Sequence, residues 1–154
     1  MISQKPLKRI KELQPLSHDH HHGLQLCWKI KTAFSKNIDL KRIKNYINWF
    51  YKTHLKSHFE LEEKFVFSVL GSANEFVEQA LSDHYKLTKL FTEENDLEQT
   101  FKNIAELLEQ HIRFEERTLF PEIQKIASAS QLADISKFHS DENFIENNTD
   151  VFWL

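Results

Sequence analysis

HFELEEKFVF at residues 58–67 returns as HIRFEERTLF at residues 111–120. The copies start 53 residues apart and agree at the histidine (His58, His111), both glutamates (Glu62 and Glu63, Glu115 and Glu116), the basic residue (Lys64, Arg117) and the final phenylalanine (Phe67, Phe120). Residues four apart on a helix share a face, so each copy sets an imidazole beside a carboxylate. One such pair on a helix is ordinarily a solvated contact worth a few tenths of a kcal/mol. Two pairs brought face to face make a metal site.

Outward from these copies the chain reads as helix. Its 154 residues contain 2 glycines and 3 prolines, too few breakers for a loop-rich or all-β fold. A first apolar stripe runs through His20, Leu24, Cys27, Ile30 and Phe34 with Ser17 as N-cap, and Asn37 or Asp39 marks its end and the next start. A second carries Leu40, Ile43, Ile47, Phe50, His54, His58, Leu61 and Phe65 until Gly71-Ser72. The third holds Val77, Ala80, His84, Leu87 and Phe91; after a polar turn with an N-cap at residues 94–96, the fourth holds Leu97, Phe101, Ile104, Leu108, His111, Glu115 and Leu119. Pro121 predicts a kink or an early end there, because it removes a backbone donor and crowds the preceding turn. The pattern predicts an all-α, up-down-up-down four-helix bundle over residues 17–128. Residues 1–16 form an irregular lead-in, and residues 129–154 a short C-terminal extension, with a helix near 131–138 and a tail packed on the bundle.

In such a bundle, residues equally far from a turn lie level. His58 and His84 are each 13 residues from Gly71, and His20 and His111 fall within about one helical turn of that height. All four helices therefore deliver a histidine to one layer. Buried carboxylates among them repel and lose hydration unless a cation neutralises them, and a mixed nitrogen and oxygen donor set suits iron, manganese or zinc better than calcium. The many phenylalanines, Phe59, Phe65, Phe67, Phe114 and Phe120 among them, read as core. Glu63 and Glu116 read as surface partners of Lys64 and Arg117, and His18, His22 and His139 as solvent-facing. His54 reads as a core histidine near the site, with a ligand role open.

The ferritin-like Glu-x-x-His order is absent. The doubled His-x-x-x-Glu-Glu motif, the run from Ser17 to Leu24 (SHDHHHGL) and the lone His84 instead resemble the hemerythrin-like family of HHE cation-binding domains, over about residues 17–126. That resemblance implies a non-haem di-iron centre held by His20, His58, Glu62, His84, His111 and Glu115, with Glu62 and Glu115 bridging and zinc or manganese as substitutes. Invertebrate oxygen carriers of the family have a further histidine where Thr88 stands, so coordination here is thinner. They also place the last bridging carboxylate one residue later, which leaves Glu116 beside Glu115, as His21 stands beside His20.

The resemblance implies binding of oxygen or another small diatomic such as nitric oxide. An enzyme or iron donor in nitric oxide or peroxide detoxification or iron-sulfur cluster repair is the alternative, although residues 1–16 lack the cysteine typical of the repair proteins. A metal or redox sensor or an iron store is the third. A formal charge of -3 with interspersed signs offers no field for nucleic acid or an anionic membrane. The single Cys27 suits a reducing interior, and no apolar run reaches the roughly 18 residues of a membrane span, which together predict a cytoplasmic protein.

Overall fold

Pro15 opens a helix instead of interrupting one. In the computed structural model, which describes residues 8–139 and 144–154, α1 spans Gln14–Ser35 with Pro15 in its first turn. Proline has a helical φ already, and its missing N–H is one that a first turn leaves unpaired anyway. The helix thus begins ahead of Ser17, after a 3-10 turn at Lys11–Leu13. Leu13 and Leu16 are fully buried, so the end of the expected lead-in is core. Residues 1–7 and 140–143, which include parts of the expected lead-in and tail, lie outside the described residues.

Asn37, in the left-handed region at φ 55°, ends the first turn, and Asp39 caps α2 by accepting from the Lys41 N–H at 2.8 Å. The α2 helix is a continuous run over residues 40–69 with two wider turns in it. Leu40–Phe50 and Lys56–Leu61 are α-helical, Tyr51–Leu55 and Glu62–Val66 are π-helical, and Phe67–Val69 tightens to 3-10. Gly71 ends it at φ 87°, a conformation that side chains with a Cβ rarely adopt. Asn74 then caps α3 (Glu75–Phe91), accepting from the Phe76 and Val77 N–H groups.

The α4 run covers residues 97–126: α-helix at Leu97–Phe114, a π turn at Glu115–Leu119 and α-helix again at Phe120–Ile126. Asp96 precedes it in the left-handed region without a side-chain cap bond, contrary to the expected capped start. Pro121 follows directly on the π turn, where the backbone has already stepped out of the i to i−4 ladder, so the helix continues through it. Ser128 and Gln131 form a capping box that starts α5 (Ala129–Phe138). Every described element is helical, and among the described residues no helix is long and apolar enough to cross a membrane.

The core comes in two apolar blocks. One gathers Leu26, Ile30, Ile47, Phe91, Phe101, Ile104 and Leu108, the other Leu13, Leu16, Val66, Val77, Leu119, Phe120 and Ile135. Fully burying each such side chain contributes about 1.5–3 kcal/mol. Helices α1 and α4 approach closely beside the gap between the blocks: a Cβ on Gly23 would sit 2.8 Å from Ile112 Cδ1. The C-terminal residues fasten to the helices. Phe138 stacks on Phe65 with centroids 4.5 Å apart, Arg42 grips Asp150 through two bonds of 2.8 and 2.6 Å, Lys29 and Tyr46 both bind Glu146, and Phe152 is buried.

Candidate metal centre

Between the two blocks lies a polar layer that no apolar contact explains. Glu62 and Glu115 are both 0% exposed, and His20, His58, His84 and His111 are buried around them. Each helix from α1 to α4 supplies one histidine, and α2 and α4 each add a glutamate. The π turns in residues 62–66 and 115–119 begin at these two glutamates. Such turns insert a residue into the helix and are frequent at functional sites.

The six side chains form two sets of four. His20, His58, Glu62 and Glu115 each offer an atom within 4.8 Å of the others, and so do Glu62, His84, His111 and Glu115. Both glutamates belong to both sets. Glu115 Oε1 lies 3.2 Å from His20 Nε2 and 2.9 Å from His111 Nε2, while Glu62 Oε1 lies 3.1 Å from His58 Nε2 and 3.2 Å from His84 Nε2. The structure therefore brings together all six residues singled out in the sequence. It also separates the alternatives. His21 is exposed, Glu116 is half-buried and outside both sets, and neither His54 nor Thr88 enters either set.

Sequence reasoning missed the groups behind the histidines. The Nδ1–H of His58 donates to Asp19 at 2.9 Å, that of His84 to Glu63 at 3.0 Å, and that of His111 to Asp83 at 3.0 Å; His20 Nδ1 lies 3.7 Å from Glu116. These links run from α1 to α2, α2 to α3, α3 to α4 and α4 back to α1. Glu63 and Glu116 therefore serve histidines of the next helix, and among the described residues neither forms an ion pair with Lys64 or Arg117; Glu116 is further held by Ser17 and Arg9. A carboxylate behind Nδ1 fixes the tautomer that leaves the Nε2 lone pair facing inward. The overlooked signal is adjacency. Asp19, Glu63, Asp83 and Glu116 each stand next in sequence to one of the six.

His139, expected in solvent, is half-buried with Nε2 3.0 Å from Asp19. His18 is exposed, and His22 is partly buried.

The inner layer fits a cation and strains without one. His58 Nε2, His84 Nε2, His111 Nε2, both Glu62 oxygens and Glu115 Oε2 are buried without a hydrogen-bond partner, a cost of about 1–3 kcal/mol per group. Burial, then the neighbouring Glu115 charge, pushes the Glu62 carboxyl up to about 8. Burial opposes ionisation of Glu115 too, but His111 and His20 hold it well below the usual carboxylate range. Burial acts to lower His111, yet Glu115 and Asp83 raise it to about 10, and the same balance raises His20 and His84. The carboxylates thus favour a proton on His20, His84 and His111, which a divalent cation would displace.

A cavity of about 330 Å³ borders one side of the layer. It touches His20, His58 and His111, and extends past Phe50, Thr53, His54 and Leu108 to Phe138 and Phe144. His84 does not line it; Phe59 stacks on that imidazole at 3.8 Å and Phe67 lies at 5.2 Å.

The family model of the hemerythrin HHE cation-binding domain matches residues 11–123. No curated protein and no solved structure matches the chain.

Proposed function

The chain belongs to the hemerythrin HHE cation-binding domain family, and on that premise we propose that it is a non-haem di-iron protein that binds oxygen or another small diatomic ligand such as nitric oxide. The observation that carries this is the sharing of Glu62 and Glu115 between two four-residue sets. One cation would need only one set; two sets joined through both carboxylates suit a bridged pair. The family association and the nitrogen-oxygen donor set favour iron, with zinc and manganese as substitutes.

His20, His58, His84 and His111 would hold the pair at its ends, and Glu62 and Glu115 would span it. Bound iron would supply the electrons and the Lewis acidity that a diatomic ligand needs. The protein's part is to orient and to exclude water. Asp19, Glu63 and Asp83 hold three imidazoles by Nδ1, Phe59 and Phe67 seal His84, and the cavity gives a small ligand its approach from the His20 and His58 side. No proton donor is needed for reversible binding. The same proposal takes the four long helices as an up-down-up-down bundle: Ser17 meets Glu116, His20 meets Glu115, and Gly23 meets Ile112, rising along α1 as α4 falls.

A second reading, turnover of nitric oxide or peroxide, is favoured by cavity size, since about 330 Å³ far exceeds the roughly 10–15 Å³ that admits one water. Ferrous reconstitution without oxygen, followed by exposure to oxygen or nitric oxide, separates these readings. Binding predicts two irons per chain and a visible charge-transfer band that reverses on ligand removal. Irreversible oxidation without a band would reject carriage, sustained consumption of ligand would favour turnover, and iron-free protein after reconstitution would overturn both.

A further inference from the structure

The inner layer leaves one histidine pair unused. His18 and His22 are four apart on α1, and their Nε2 atoms lie 3.4 Å from each other. The rings meet edge to face, with centroids 4.9 Å apart and an interplanar angle of 90°. A hydrogen bond between them is a poor account, because N–H donors in proteins prefer about 2.7–3.2 Å. A shared cation is a better one. Zinc binds imidazole nitrogen at about 2.0–2.1 Å with tetrahedral angles, which sets two such nitrogens about 3.3–3.4 Å apart.

The remaining atoms agree. His22 Nδ1 faces Gln25 Oε1 at 3.4 Å, so a ring that held an ion through Nε2 would have an acceptor on the side of its Nδ1–H. The His22 ring is backed by Phe144, stacked at 4.0 Å with a 13° tilt. Among the described residues no third histidine, cysteine or carboxylate completes a set with this pair, so water would fill the other positions and exchange would be easy.

We propose that His18 and His22 form a second, surface site for a borderline divalent cation such as zinc or ferrous iron, and that it captures ions bound for the inner layer. Its position supports the second clause. His22 lines the same cavity that borders His20 and His58, so an ion released from the pair enters the space leading to them. The capture role rests on the two-ion reading of the inner layer; cation binding by the pair does not.

The test uses the whole chain and zinc alone. Titration of ion-free protein, followed by calorimetry and by the imidazole nitrogen resonances, should show two tightly held equivalents and a third, weaker one, with His18 and His22 signals moving together only as the third is added. His18→Gln, an exposed change, should abolish the third equivalent and leave the first two. A third equivalent surviving in His18→Gln, or resonances of the pair that stay still, overturns the site. Loss of the tight equivalents with the pair still responding would strike the inner-layer reading instead. For capture, His18→Gln should fill its inner layer several-fold more slowly than wild type at limiting zinc and reach the same final content. Equal filling rates overturn the capture role.

Discussion

His84 sits in a closed box, whereas His20 and His58 sit at the edge of a cavity. Phe59 covers the face of His84, and Phe67 closes beside it. On the other side His20 rests on Phe120 at 5.3 Å, but its Nδ1 is 3.7 Å from Glu116, and the Asp19 behind His58 is shared with His139. Of the four imidazoles, His84 is the one that the cavity does not touch. The sequence repeat is not the geometric repeat, because each copy contributes to both sets. His58 belongs with His20, Glu63 with His84, His111 with His84, and Glu116 with His20, while Glu62 and Glu115 join the two sets.

The largest effect should follow from the shared carboxylates, whose loss erases the comparison. Glu62→Gln is expected to remove both ions, since each set loses a member. Its effect on stability should change sign with metal. A carboxyl whose folded pKa lies above its unfolded value destabilises the fold at every pH above the unfolded one, and Glu62 is raised to about 8. At neutral pH the ion-free variant, which has no proton to take up on folding, should therefore gain on the order of 1–4 kcal/mol. Under saturating zinc it should be less stable than wild type. Urea unfolding with a chelator and with zinc measures both arms, and destabilisation in both would refute the account.

Access itself can be probed with a ligand fragment. His58→Ala and His84→Ala should each release an ion, but excess imidazole should restore binding in His58→Ala alone, because the cavity reaches His58 and not His84. Equal rescue, read by equilibrium dialysis of zinc, would break the distinction between the box and the cavity edge.

The six inner residues were legible because helical periodicity and equal distance from turns are local properties of the chain. His20 over His21 and Glu115 over Glu116 followed from the same stripe. The outer carboxylates were not legible, because a bond from Asp83 to His111 crosses helices and leaves no mark on either helix's pattern. The π turns were hidden for a related reason. An extra residue at Glu62 or Glu115 answers a demand of the assembled core, and only Pro121 hinted at it. Pro15 misled because the stripe was started at Ser17, which turned a first-turn proline into an apparent break.

The outer ring should give graded, intermediate effects. Replacing a group that holds a ligating histidine typically costs 10–100-fold in metal affinity. Asp83→Asn, on the buried side, is expected in that range. Glu116→Gln should cost less, because its link to His20 is long and the carboxylate is also engaged by Ser17 and Arg9. Competition with a chelator of known affinity ranks the variants, and a larger loss in Glu116→Gln would reverse the assignment of tight and loose sides.

The smallest effect belongs to the roof of the cavity. Phe144, which packs on His22 and His54 at 4.0 and 4.6 Å, belongs to the C-terminal segment held by Glu146. Burial works to raise the Glu146 carboxyl, but bonds from Lys29 and Tyr46 outweigh it and hold it below the ordinary 4.5. A lowered carboxyl lends its stability in full above the unfolded value and loses it as pH falls through the folded one. Acidification below about 4.5 should therefore loosen this segment, with a contribution of roughly 1 kcal/mol, because Lys29 is buried but the Glu146 end of the pair stays partly open to water. Lys29 Nζ lies 4.1 Å from the Trp153 ring, so tryptophan emission should report the release. In Glu146→Gln the neutral amide cannot titrate, and the acid transition in emission should vanish. If it persists unchanged, a different group governs the segment, and the open side of the layer owes its roof to apolar packing alone.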